Sequence, residues 1–239
     1  MSDPTPIRTL FLDAGGVLVF PNWHRVSDAL AAQGVAVEPA VLAGADARAR
    51  RRIELAHIVG TTTDQQRGWL YFNLVLDGAG IAQDERTDRA LDQLKAYHRE
   101  WNLWEHVPAD VPRALERIRR LNLKVVVVSN ANGRLTFLFD RLGLSRFFDL
   151  MLDSSVEGVE KPDPRLFLLA VNRSGAEADS TLHVGDLYSV DVVGARAAGL
   201  RAALLDPEDL YPDADCPRLR SLGELADRLE GGDANWLAS

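Results

Sequence analysis

The amino-acid sequence predicts a doubly wound α/β fold: a parallel five-stranded sheet with an all-helical domain inserted after its first strand. Two observations carry this expectation. Five short apolar runs, Ile7–Leu12, Val125–Val128, Leu150–Leu152, Leu182–Val184 and Ala202–Leu205, are continuous rather than alternating, as befits strands buried on both faces. Helix-like segments lie between them, among them Pro108–Leu121 before the second run and Leu135–Leu142 before the third. Strands alternating with helices make a parallel sheet covered on both sides.

The first interval is far longer than a crossover helix needs: about 110 residues separate the first two runs. Within it, Asn22–Gln33, Pro39–Ile58, Asp64–Leu76 and Asp84–Leu103 read as helices, broken at Gly34 and at Gly78-Ala79-Gly80. The expected organisation is therefore a core of residues 1–20 and 105–239 and a helical domain of residues 21–104.

Composition narrows the function. The chain is 46% hydrophobic and 26% charged with a formal charge of -8, ordinary for a globular protein and without an electrostatic case for nucleic acid or an anionic membrane. Cys216 is the only cysteine, so a disulfide within the chain is excluded and a cysteine-based zinc site is disfavoured. Met1 to Arg8 carries no apolar run of signal-peptide type and no stretch reaches membrane-spanning length, so the expectation is a cytoplasmic protein, monomer or dimer.

In doubly wound sheets ligands bind at the carboxyl ends of the strands. After the first run comes Asp13-Ala14-Gly15-Gly16-Val17-Leu18, after the second Ser129-Asn130, after the third a loop with Glu160-Lys161-Pro162, and after the fourth Gly185-Asp186, with Asp191 five residues on. A carboxylate can attack phosphorus, but two anions repel unless a cation lies between them. Oxygen ligands from Asp13, Asp186 and a backbone carbonyl suit Mg²⁺. Ser129 and the backbone amides near Asn130 suit phosphate oxygens, with Lys161 as a fixed positive charge. The set points to phosphoryl transfer through an aspartyl-phosphate on a small phosphorylated substrate.

These four motifs, in order and at successive strand ends from about Ile7 to Leu205, resemble those of the haloacid dehalogenase superfamily. The resemblance implies a Rossmann-like core and makes the inserted helices similar to that family's first-type cap. It implies that Asp13 is the nucleophile and a magnesium ligand, and that the Gly15 carbonyl and Asp186 are further ligands. Asp191 then acts in the metal's outer shell, Ser129 and Asn130 bind phosphate, and Lys161 neutralises charge beside the nucleophile.

One position departs from the pattern. The family's phosphatases usually carry a second aspartate two residues after the nucleophile, which protonates the leaving group; here that residue is Gly15. General acid–base help of this kind is worth roughly 10²–10⁴-fold. A substrate with a good leaving group, such as an anomeric sugar or acyl phosphate, a replacement acid such as His24, and a non-catalytic phosphoryl-ligand or partner-binding role all accommodate that change. A 2-haloacid dehalogenase also lacks the second aspartate, but Asp186 and Asp191 argue for a cation and hence for phosphate. Phosphonate hydrolysis would need a lysine in the helical domain, where Lys95 has no distinguishing environment.

Blander readings stand beside these. Asp13 can end a strand, Ser129 can cap a turn, Asp191 can favour a helix N-terminus, and Arg48, Arg50, Arg51 and Arg52 can form a solvated helix face. Trp69, Tyr71, Trp101 and Trp104 suit the core of the helical domain, and His57, His98, His106 and His183 show no ligand spacing.

Overall fold

The computed structural model describes residues 5–55, 64–232 and 235–237. It divides into two compact units, residues 1–19 with 107–239, and Phe20–His106.

The first unit is built on a parallel sheet. Strands β1 (Thr9–Leu12), β2 (Lys124–Ser129), β3 (Leu150–Asp153), β4 (Thr181–Gly185), β5 (Arg201–Leu205) and β6 (Arg218–Leu219) lie in the order β3-β2-β1-β4-β5-β6, every pair parallel. The expected count of five is corrected to six. The extra strand is two residues long, too short to show as an apolar run, and it exists only because β5 offers its edge. In β1 and β4 every residue is buried, which explains their continuous apolar character.

Register decides what meets at the top of this sheet. Leu12 pairs with Val127 on one side and Val184 on the other, so β1 is central and in register it ends two residues before β2 and one before β4. Because the three strands are parallel, the residues that follow them all leave at the same end of the sheet.

Helices cover the faces: α5 (Asp110–Arg120), α6 (Leu135–Arg141), α7 (Ser154–Glu157), α8 (Pro164–Ser174), α9 (Val193–Ala197) and α10 (Leu222–Glu230). Helix α5 buries Val111, Ala114, Leu115 and Ile118, an apolar stripe at helical spacing, and packs with α10. The start and stop of α8 follow local rules, with Asp163 accepting from Arg165 N, Pro164 in the first turn and left-handed Gly175 after the end. Phe11, Val126, Val128, Leu166, Phe167, Val192 and Leu204 share one buried cluster.

The second unit contains α1 (Trp23–Ala31), α2 (Pro39–Leu55), α3 (Asp64–Gly78) and α4 (Glu85–Trp101), and no strand among its described residues. The expected helix end at Ile58, and His57, lie outside the described residues. Helix α4 begins at a capping box in which Asp84 accepts from Arg86 N and Thr87 N while Thr87 Oγ1 accepts from Asp84 N. The unit's two ends are tied together by an antiparallel bridge between Phe20 and His106. Glu105 reinforces it, accepting from Asn22 Nδ2 at 3.0 Å, Arg25 Nε at 3.1 Å and Tyr97 Oη at 2.8 Å.

Trp23, Tyr71, Phe72 and Leu103 lie in this unit's core with Trp69 and Trp104 packed against it, whereas Trp101 is 40% exposed. Three of the four arginines of the basic run are paired within the unit: Arg50 with Asp46 at 3.2 Å, Arg51 with Glu54 at 3.3 Å, and Arg52 with Asp77 at 2.6 Å.

His98 sets a testable property of this unit. Its ring lies edge-on to Trp104 and Trp69, Nδ1 accepts from Leu103 N at 3.1 Å, and burial holds its pKa down at about 4. Unfolded, the ring takes up a proton near 6.5; folded, it does not until about 4. His98 thus contributes stability that is present above pH 6.5 and lost as the pH falls toward 4. An NMR titration is expected to find His98 titrating near pH 4, and a midpoint near 6.5 would show the ring to be solvated.

Candidate active site

The residues that follow β1, β2 and β4 converge with Lys161 at one end of the sheet. Asp13 directly follows β1, and its N–H donates to Val184 O at 3.0 Å, continuing the ladder by one bond. Ala14 O accepts from Leu18 N and Val19 N and closes the loop. Gly16 has φ +77°, which favours glycine, and its N–H donates to Val19 O. Gly15 does not share this backbone region. The left-handed turn of this loop thus falls at Gly16 and not at Gly15.

Lys161 is the hub. It is 2% exposed, and its ammonium lies 2.8 Å from Asp13 Oδ1 and 2.6 Å from Asp191 Oδ1. Burial alone would lower its pKa, yet the two carboxylates hold it above the ordinary lysine value. Its backbone is gripped as well: Asn130 Oδ1 accepts from Lys161 N at 2.8 Å while Asn130 Nδ2 donates to Lys161 O at 3.0 Å. The side chain of Asn130 is therefore engaged with the backbone of Lys161, which leaves the backbone amides near Asn130 as the groups expected to meet phosphate. The Lys161–Pro162 peptide is cis.

Asp191 receives donors from three directions. Lys161 Nζ and His183 Nε2 (2.9 Å) meet Oδ1, and Leu187 N donates to Oδ2 at 3.1 Å. Burial would raise its pKa, but the ammonium and the His183 hydrogen bond outweigh it and hold the carboxyl below the usual range. Asp13 goes the other way: burial raises its pKa, the Asp191 charge adds to this, and Lys161 does not fully offset them. Burial also lowers the pKa of His183, against the pull of Asp191.

Asp13, Asp186 and Asp191 are all buried, and one ligand oxygen from each lies within 4.8 Å of the others. Three carboxylates and one ammonium leave excess negative charge in a buried space. A hard divalent cation fits this donor set, and its charge would reverse the upward pressure on Asp13. The three aspartates could hold a metal ion.

Ser129, 3% exposed, ends β2, and among the described residues its hydroxyl makes only a long 3.4 Å contact with Asn130 O. The loop after it is held from the end of β3. Asp153 accepts from Gly133 N and Leu135 N at 3.0 and 3.1 Å, and Ser154 Oγ accepts from Ala131 N at 3.1 Å. Asp153 and Ser154 were not singled out from sequence, although they directly follow the third apolar run, where the strand-end rule points. His183 was passed over too; its signal was a polar residue inside a buried strand. His24 is an exposed residue of α1 in the helical unit. Cys216 is buried, and burial pushes its thiol up to about 11, so it is no nucleophile near neutral pH.

The Asn130 clamp is separately testable. Asn130→Ala leaves the N–H and C=O of buried Lys161 without their side-chain partner, which costs about 1–3 kcal/mol. Urea denaturation is expected to find that loss, and unchanged stability would show that the clamp contributes nothing.

The chain is similar to known proteins in sequence and in fold. The profile of the haloacid dehalogenase-like hydrolases matches residues 7–199. Mouse haloacid dehalogenase-like hydrolase domain-containing protein 3 is 35% identical over 158 residues, covering 65% of this chain and 62% of that protein. The phosphoserine phosphatase of Thermus thermophilus is 35% identical over 161 residues, covering 64% of this chain and 60% of that one. The chain thus spans less than two thirds of the length of either relative. Among solved structures, the magnesium-bound HAD-hydrolase YfnB of Bacillus subtilis shares the fold with a TM-score of 0.69 at 18% identity, over 94% of this chain and 99% of that one. No helix among the described residues is long and apolar enough to cross a membrane. With its ordered motifs gathered around Lys161 and the family profile running through the whole of the sheet's first four strands, the chain belongs to the haloacid dehalogenase-like hydrolases.

Proposed function

We propose that the protein is a Mg²⁺-dependent phosphatase that hydrolyses a small phosphate monoester through an aspartyl-phosphate at Asp13. The observation that carries this reading is the buried Lys161 ammonium, which touches Asp13 and Asp191 together beside a carboxylate trio spaced for one cation. The name of the Thermus thermophilus relative, a phosphoserine phosphatase, supports the reaction class.

In this reading Asp13, the Gly15 carbonyl and Asp186 hold the ion, with Asp191 behind them. When bound, Mg²⁺ supplies charge that lets an anionic nucleophile approach an anionic ester. Lys161 engages Asp13 Oδ1, and the other carboxylate oxygen attacks phosphorus in line with the leaving oxygen. Ser129 and the amides of its loop hold phosphate oxygens. Water then cleaves the acyl phosphate and returns Asp13 to its carboxylate. The helical unit, inserted directly after the nucleophile loop, is the cap and selects the substrate.

Gly15 presents no acid to the leaving group, so a weakly basic leaving group is favoured because it departs as an anion. The same glycine favours a second reading, a protein that binds phosphoryl ligands without turning them over. Two experiments test the choice. The p-nitrophenyl, anomeric and acyl phosphates are expected to be hydrolysed faster than simple alkyl phosphates by up to the roughly 10²–10⁴-fold worth of the missing acid. Gly15→Asp is expected to help alkyl esters most, since the backbone there is not left-handed. Equal wild-type rates on both ester classes would point to a replacement acid, with His24 the first to mutate. Binding of Mg²⁺ and a phosphate analogue without any turnover would establish the second reading.

The metal assignment is tested by calorimetry. Asp186→Asn is expected to weaken Mg²⁺ binding by at least about tenfold, the lower end for a metal's outer-shell partners, and to lower activity with it. Unchanged affinity would remove Asp186 from the ligand set.

A further inference from the structure

We propose that His183 is a positioning residue for the reaction: its Nε2–H fixes the Asp191 carboxylate, which in turn aims the Lys161 ammonium at Asp13. The proposal deepens the phosphatase reading and rests on it for the chemistry, though the contacts that define it do not.

The argument starts from the strand. His183 is fully buried between Leu182 and Val184 of β4, with its ring edge-on to Phe167 at 4.9 Å. Side chains alternate along a strand, so His183 and Gly185 share a face. Gly185 has no Cβ, and a Cβ built there would lie 2.0 Å from Asp191 Cγ. The space a side chain would take at Gly185 is therefore filled by Asp191, whose carboxylate lies back along the strand and reaches the imidazole at 2.9 Å.

An ionised carboxylate only accepts hydrogen bonds, which assigns the ring proton to Nε2. Among the described residues the other ring nitrogen, Nδ1, is buried and has no hydrogen-bond partner. A leucine or phenylalanine would fill this apolar site without leaving a polar atom unpaired. What the imidazole adds is one N–H aimed at Asp191 Oδ1, the same oxygen that Lys161 contacts. With Leu187 N on Oδ2, that bond leaves the carboxylate no freedom to turn about its Cβ–Cγ bond. Without it, the ammonium alone would orient Oδ1, and lysine and aspartate could move together away from Asp13.

The test compares wild type, His183→Leu and His183→Gln, with Mg²⁺ and p-nitrophenyl phosphate. Outer-shell partners of this kind are worth about 10–100-fold in activity. His183→Leu is expected to lose that much in kcat with KM nearly unchanged. His183→Gln, whose amide N–H can reach the same oxygen, is expected to recover most of it. Wild-type kcat in the leucine variant, or a glutamine variant as slow as leucine, would overturn the proposal.

Two NMR readouts need no turnover. Ring ¹⁵N–¹H correlations of the wild type are expected to show His183 protonated at Nε2 with an exchange-protected proton, and an Nδ1–H ring would overturn the proposal even if neither variant folds. The Lys161 ammonium resonance is expected to move in His183→Leu and to return in His183→Gln. If wild type turns over no ester, the phosphatase reading fails, while these spectra still decide whether His183 fixes Asp191 and, through it, Lys161.

Discussion

A single ammonium group placed between two carboxylates organises the active end of this molecule. Lys161 is almost completely buried, and a buried charge is costly unless its partners are close and its remaining donors are used. Here Asp13 and Asp191 lie at 2.8 and 2.6 Å. The two carboxylates do not share the ammonium evenly. Asp191, which also receives Leu187 N and His183 Nε2, is held firmly ionised. Asp13 accepts one strong partner and is pushed upward by burial. Asp191 therefore behaves as the fixed counter-ion, while Asp13 stays electrostatically unsatisfied, as the proposed role of metal ligand and nucleophile requires.

That arrangement depends on the backbone around it. Lys161 belongs to a loop rather than to a strand, and loops position charges poorly unless they are tied down. The tie is the side chain of Asn130, which reads the Lys161 backbone at two points. Asn130 in turn sits in the segment that Asp153 and Ser154 secure from the end of β3. The chain of support runs from the sheet through side-chain-to-backbone hydrogen bonds to the loop that carries the ammonium. Local packing enforces it: a side chain at Gly185 would overlap Asp191, and one at Gly194 would meet Phe167 and the Pro162 carbonyl within 3 Å.

The helical unit follows a different logic. It has its own aromatic core around Trp23, Tyr71 and Phe72, its own paired charges, and ends zipped by the Phe20–His106 bridge and Glu105. Such a unit holds its own core, so the proposed division, with the chemistry in one unit and substrate selection in the other, lets side chains of the helical unit vary independently.

Much of this was legible in the residues themselves. Continuous apolar runs specify strands buried on both faces, so the parallel α/β class, the inserted helices and the strand-end residues Asp13, Ser129, Lys161 and Asp186 followed from local pattern and the rule for where such sheets bind ligands. Periodicity reports what a residue's immediate neighbours do, and these features are set by immediate neighbours. Strand β6, the grip of Asn130 on Lys161, the support from Asp153 and the contact of His183 with Asp191 were decided by tertiary structure. Asn130 and Lys161 are 31 residues apart, β6 needs the edge of β5, and His183 meets Asp191, eight residues on, only because the chain folds back over Gly185. A hydrogen bond of that kind leaves no periodic trace, because its partner is chosen by the register of the sheet rather than by spacing along the chain.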